Sequence, residues 1–359
     1  HYSLGEGGAQ TDLDIYLSNN QGILQFGSNW NNLGGDPVEL MYFIVLQPTT
    51  TNILIERAPG SSSTPINFKY VVFRAGDDGE FDAVPALDKS TLVGHANAAG
   101  NMAVGAVRYD NTPNFGGVLT AQQSSSRGGT ETEGQVRMQP TLLGPTGGDT
   151  SVDFGAPDIE GNGLPNFFGT SASAPHVAAV AALIMEEKKN TGLDTSPDPN
   201  LTIRSLLTST AEDMGAPGFD YTNGYGFVRA DKALGAFSNP SPNLIALNID
   251  DLLAQNPEFV PGDAPFSDSV EGEFFVDGSS QVYWRGAALE TTFVDPGTLT
   301  VAIPEFFGSG GEIYVLTNSQ EGTNGSDGGT SDPLTFFEVE KTDVIVKPVE
   351  VSRYYGLEN

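Results

Sequence analysis

Gly169-Thr170-Ser171-Ala172-Ser173-Ala174-Pro175-His176-Val177-Ala178 is the stretch on which the reading of this chain turns. From Ala172 onward the residues are almost all helix formers, rich in alanine, with apolar residues on every side of the first turns. That pattern predicts a helix buried in a large domain. Ser171 falls at its first turn, where a hydroxyl points outward and unpaired backbone N–H groups can receive developing negative charge. Gly169 lets the backbone approach a substrate closely. Pro175 suits the early helix positions, whose N–H groups need no acceptor. A plain N-cap would account for a serine at 171, but not for the residues that flank it.

The same stretch resembles the nucleophile motif of the subtilases, the subtilisin-like serine proteases, in which Gly-Thr-Ser precedes a buried helix and Pro-His-Val continues it. The likeness extends over about residues 91–236. Ala103-Val104-Gly105-Ala106-Val107 resembles the strand before the family's Ser-rich segment, here Ser124-Ser125-Ser126-Arg127-Gly128. Asp153-Phe154-Gly155-Ala156-Pro157 is similar to the strand and turn ahead of the nucleophile, and Gly224-Tyr225-Gly226-Phe227-Val228-Arg229-Ala230 to the closing turn and helix. The resemblance implies an α/β fold on a parallel sheet, present here in part. It also implies Ser171 as catalytic nucleophile, Gly169, Thr170 and Pro175 as motif support, a protein or peptide substrate and no required cofactor.

A serine hydroxyl is a weak nucleophile unless an imidazole takes its proton and a carboxylate orients that imidazole. In the subtilases the Asp and His motifs, and an oxyanion-binding Asn, precede the serine, and nothing in this chain matches them well. Of the three histidines, His176 follows Ser171 on the same helix, about 140° around the axis, and does not face its hydroxyl. His95 only superficially resembles the His motif, because it abuts the Val-Gly-Ala strand. Asn101 runs straight into that strand too and reads as a turn residue. Residues 91–240 are therefore expected to be the C-terminal half of a subtilase catalytic domain. The chain alone is expected to be inactive, with Asp and His supplied by an upstream part of the same domain. Both ends, His1 and Asn359, break off in mid-pattern, as in a piece of something longer.

Around this half the pattern is β. Leu13, Ile15 and Leu17 alternate with Asp12, Asp14 and Tyr16; turn signals follow at residues 19–22 and 34–37, the latter before an apolar run at 38–46. Short strands are expected at 52–57 and 68–73 as well. Residues 1–90 thus read as a β-sandwich inserted in the protease domain. Asp12, Asp14, Asp36 and Glu39 offer oxygen ligands that calcium would accept; the plainer reading, preferred on sequence, is carboxylates turned to solvent. Past a linker at Pro240-Ser241-Pro242-Asn243, residues 241–342 alternate again and resemble an immunoglobulin-like IPT/TIG module, with Trp284 as core anchor. Residues 343–359 resemble the start of a further bacterial surface repeat.

The chain has 359 residues, 46 acidic and 16 basic, for a formal net charge of -30. The length suits a multidomain protein, and the charge would repel nucleic acid and anionic membranes. With no cysteine, disulfides and thiolate chemistry are excluded. The longest apolar stretch, residues 176–185, is far short of the ~20 residues a transmembrane helix needs. The function expected is a secreted, extracellular or cell-surface serine endopeptidase. The competing expectation is a noncatalytic adhesion or filament protein on a degenerate protease domain.

Overall fold

A computed structural model describes residues 8–66, 68–70, 90–132, 135–153, 155–249, 264–306 and 310–336. The chain divides into two compact units, residues 1–178 with 211–228, and residues 179–210 with 229–359.

In the first unit, β1 (Leu13–Ser18) lies between β2 (Leu24–Ser28) and β3 (Asn52–Arg57) in an antiparallel sheet. The Asn19 side chain closes the β1–β2 turn by accepting from the N–H groups of Gln21 (3.0 Å) and Ile23 (2.9 Å). Among the described residues of 1–90 this is one sheet, not two packed face to face. The run at 38–46 forms no strand, and most of its apolar side chains stand in solvent, with Tyr42 81% and Leu46 90% exposed. Apolar content predicts a strand only where a partner edge exists to pair it, and none lies beside this run among the described residues. The expected strand at 68–73 lies partly outside the described residues.

The remainder of the unit is an α/β layer. It holds β4 (Val104–Arg108), the hairpin β5 (Glu131–Thr132) and β6 (Gln135–Val136), and β7 (Leu142–Thr146). The pair β8 (Gly148–Asp149) and β9 (Asn166–Phe167) follows, and then the start of α1 (Thr170–Asn190). β4 and β7 run parallel, with Val104 opposite Leu142 and Arg108 opposite Thr146. Residues 225–228 extend the layer along β7: Leu143 N–H donates to the Gly226 carbonyl (2.8 Å) and Val228 N–H to that of Leu143 (2.9 Å). Leu142 and Leu143 are both fully buried, as strands covered on both faces require. Val107, Leu143 and Met214 form the core there, with Leu119, Ala121 and Phe227 against it.

Among its described residues the second unit contains the rest of α1, α2 (Ile203–Ser209), α3 (Ala230–Gly235) and nine strands. Thr202 caps α2, its hydroxyl accepting from Ser205 N–H at 3.1 Å. The strands are β10 (Asn243–Leu247), β11 (Phe266–Glu273), β12 (Ser280–Trp284), β13 (Ala287–Ala288), β14 (Glu290–Asp295), β15 (Thr298–Ile303), β16 (Glu312–Thr317), β17 (Gly329–Thr330) and β18 (Leu334–Thr335). They form two antiparallel sheets, β10-β11-β15-β14 and β13-β12-β16-β17 with β18 on β16. The sheets enclose one core, in which Trp284 packs edge-on to Phe306 (5.0 Å) and Phe336 (5.8 Å) and donates its indole N–H to the Gly310 carbonyl. The expected linker is tied down: Asn239 N–H donates to Asp327 Oδ2 (2.6 Å) and Ser241 Oγ to the Gly328 carbonyl (2.6 Å). Residues 343–359 lie outside the described residues.

The helix differs from expectation. Ser173, Val177, Ile184 and Lys188 are buried along one stripe, while Leu183 (48%) and Met185 (61%) are exposed. Alanine reads as apolar in sequence but has little surface to hide, so an alanine-rich helix says less about burial than its composition suggests. No helix among the described residues is long and apolar enough to cross a membrane.

Candidate active site

The site is built on the end of β7 and the start of α1. Gly144 lets the helix lie directly on the strand: a Cβ there would sit 2.9 Å from both the Ser173 carbonyl oxygen and a Val177 methyl. Two residues on, Thr146 Oγ1 donates to the Gly169 carbonyl (3.1 Å), fixing the turn from which α1 starts. Gly169 has φ +96°, a conformation other residues adopt only under strain. Its carbonyl also receives the N–H groups of Ala172 (3.0 Å) and Ser173 (3.3 Å). Gly169 is thus the cap, and Ser171 is not.

Ser171 is the second residue of α1 and exposed, and its hydroxyl has no hydrogen-bond partner among the described residues. The N–H groups of Thr170 and Ser171 have no backbone acceptor there either. A free hydroxyl beside free donors at the positive end of a 21-residue helix is an arrangement that can attack a carbonyl and stabilise the resulting oxyanion. Pro175 is the sixth residue of the helix, past the four positions that lack acceptors, so it removes the bond that the Ser171 carbonyl would have received. That corrects the reading of Pro175 as an early-turn residue.

The parallel strands β4 and β7 end side by side at Arg108 and Thr146, the edge at which α/β sheets carry their sites. Arg108 grips Asp110 through Nε (2.9 Å) and Nη2 (2.7 Å) and lies over the Phe168 ring at 5.6 Å. The hydrogen bond to Asp110 raises the Arg108 pKa, and that bond holds the Asp110 carboxyl below its usual range. Asn166, 1% exposed, organises the preceding loop: its Nδ2 donates to the Gly147 carbonyl (2.8 Å) and Glu160 Oε2 (2.8 Å), and its Oδ1 accepts from Ile159 N–H (2.8 Å). Sequence reading missed both residues. Arg108 had a usable signal, a charge closing an apolar strand; Asn166 had none.

The histidines do not complete the site among the described residues. His176 Nδ1 bonds the Ala172 carbonyl of its own helix (2.7 Å). His95 is exposed on a short 3-10 turn, and Asn101 Nδ2 donates to its carbonyl (3.0 Å), a turn-closing role. Phe154, in the segment expected to precede the serine motif, lies outside the described residues. Ser125, in the Ser-rich segment, is buried and accepts from Ala106 N–H (2.8 Å), bracing β4.

Of the four carboxylates considered for calcium, the fold gathers three. Oxygens of Asp12, Asp14 and Glu39 lie within 4.8 Å of one another. Asp12 and Asp14 are buried, not turned to solvent. Asp36 is exposed and outside the group, its backbone carbonyl accepting from Asn32 Nδ2 (3.1 Å).

The profile of the subtilase family matches residues 50–226. Fervidolysin of Fervidobacterium pennivorans is 31% identical over 125 residues, which are 33% of this chain and 17% of that protein. Its crystal structure, described as that of a keratinolytic enzyme related to subtilisin, aligns over 62% of this chain and 29% of its own, at 19% identity and a TM-score of 0.29. A lanthipeptide protease structure aligns over 31% of this chain and 33% of its own, at 31% identity and a TM-score of 0.20. This chain spans well under half the length of these relatives. Residues 50–226 are a segment related to the subtilisin-like serine proteases, and Ser171 lies within it.

Proposed function

We propose that this chain is the serine-bearing portion of a secreted subtilisin-like endopeptidase. Ser171 Oγ attacks the carbonyl carbon of a peptide bond while a histidine outside residues 1–359 takes its proton, oriented by an aspartate from the same upstream region. The developing oxyanion is met by the Ser171 N–H at the start of α1. Collapse of the tetrahedral intermediate expels the amine, which takes the proton back, and water then releases the acyl group from Ser171 by the reverse sequence. Gly169, Thr170 and Pro175 shape the turn and first helical residues that carry the nucleophile. Residues 1–90 are an insertion in the protease domain and residues 241–342 a β module that spaces or attaches it. This chain by itself is inactive.

One observation carries the reading: an exposed serine at the second position of a helix capped by Gly169, inside a segment that matches the subtilases. The test is labelling of the natural full-length protein with a fluorophosphonate probe. Ser171 is expected to be the modified residue, and Ser171→Ala to lose labelling and to lower peptidase kcat by at least about 10⁴-fold. Absence of label on Ser171 in a folded full-length protein overturns the proposal.

A further inference from the structure

Asp12 and Asp14 flank Leu13 at the start of β1, and Glu39 reaches the same spot from the segment after β2. Protein donors satisfy one side of this group. Asn32 N–H donates to Asp12 Oδ1 (3.0 Å), Tyr16 Oη to Asp14 Oδ2 (3.1 Å), and Ser28 Oγ to Glu39 Oε2. The other side is open. Asp14 Oδ1 and Glu39 Oε1 are buried, and no donor among the described residues reaches either; Asp14 as a whole is only 7% exposed.

Carboxylates crowded away from water repel one another strongly unless a cation offsets them. No ion pair joins Asp12, Asp14 or Glu39 to a lysine or arginine among the described residues. The neighbour across the sheet makes matters worse, since Glu56 on β3 stands directly opposite Asp14. Tyr16 stands among these carboxylates and donates its hydroxyl to Asp14. Its ring is seated there by Gly27, its register partner, where a Cβ would meet Tyr16 Cδ1 at 2.1 Å. The donors therefore orient the three carboxylates and leave their remaining oxygens converging.

We infer that Asp12, Asp14 and Glu39 form a calcium site that ties the segment after β2 to the start of β1. The donor set is all oxygen, without sulfur or imidazole, which suits a hard cation and disfavours zinc or copper. Calcium accepts the irregular geometry that two strand residues and one from a coil segment supply, where magnesium demands a regular octahedron. The site is independent of the chemistry at Ser171, and metal uptake is read without any proteolysis.

Isothermal titration of the full chain with calcium, after chelator treatment, tests it. One ion per chain is expected, with a higher melting temperature in calcium than in chelator. Asp14→Asn and Glu39→Gln are each expected to weaken binding by about tenfold or more and to shrink the melting shift, since each removes the negative charge of a direct ligand. Asp36→Asn is expected to leave both unchanged. Circular dichroism checks that the variants fold; should Asp14→Asn not fold, Glu39→Gln, at a less buried position, carries the test alone. No stoichiometric uptake up to about 10 mM calcium, beyond the range of even weak extracellular modules, overturns the inference. So does uptake that neither carboxylate variant alters.

Discussion

At Gly169 the backbone takes φ +96°, and three groups converge on its carbonyl: the N–H groups of Ala172 and Ser173 and the Thr146 hydroxyl. A side chain here must either be strained or move the start of α1. Gly169→Ala is expected to cost about 1–3 kcal/mol in chemical denaturation. In the full-length protein it should also slow fluorophosphonate labelling at Ser171, although the hydroxyl itself is untouched. Unchanged labelling would mean that the turn does not set the position of the Ser171 hydroxyl.

Among the elements, the contact of α1 with β7 depends on the absence of a side chain at Gly144, where a Cβ would meet the Ser173 carbonyl at 2.9 Å. Gly144→Ala is expected to destabilise by about 1–3 kcal/mol through overpacking. Gly148→Ala, at a glycine with open space around it and an ordinary φ, should change stability by less than about 0.5 kcal/mol. Equal effects at the two positions would contradict the close helix–strand contact. The elements also show what the sequence made legible. β15 (Thr298–Ile303) and β16 (Glu312–Thr317) fall within the stretch, 241–342, that alternation marked as β, because each has a buried face and a partner on both sides. The start of α1 was readable because its motif is dense. Residues 38–46 misled for the opposite reason: β-formers were present, but not an edge to receive them. The tether at Asn239 and Ser241 was hidden too, since a Pro-Ser-Pro-Asn stretch looks the same whether or not a distant loop such as 318–328 holds it. The gathering of Asp12 and Asp14 with Glu39, and the exclusion of Asp36, depended on chain path between residues 28 and 39, which no periodicity encodes.

On the scale of the molecule, charge and burial act together. Asp268 on β11 is 3% exposed; its Oδ1 accepts from Ser269 N–H (2.9 Å), and Oδ2 has no partner among the described residues. Burial pushes its carboxyl up to about 6, against the pull of that N–H. The folded pKa therefore lies above the unfolded one. The protonated form favours folding, so the contribution is complete below the unfolded carboxylate pKa and is lost as pH rises through about 6. Stability of the second unit is expected to fall between about pH 4 and pH 7. The net charge of -30 grows in the same direction and adds general repulsion. Salt separates the two, because it screens the general repulsion and not the buried group. In high salt, thermal melts of the wild type should keep the slope and Asp268→Asn should lose it. A slope that persists in Asp268→Asn would place its origin elsewhere.

The bond from Thr146 to the Gly169 carbonyl has one more consequence. It joins the end of a buried strand to the cap of α1, so the direction of the first amide groups is settled when the chain folds. An atom gaining negative charge beside Ser171 would meet dipoles already turned toward it, with no rearrangement required at the moment of need, whereas water would have to reorient around the same charge.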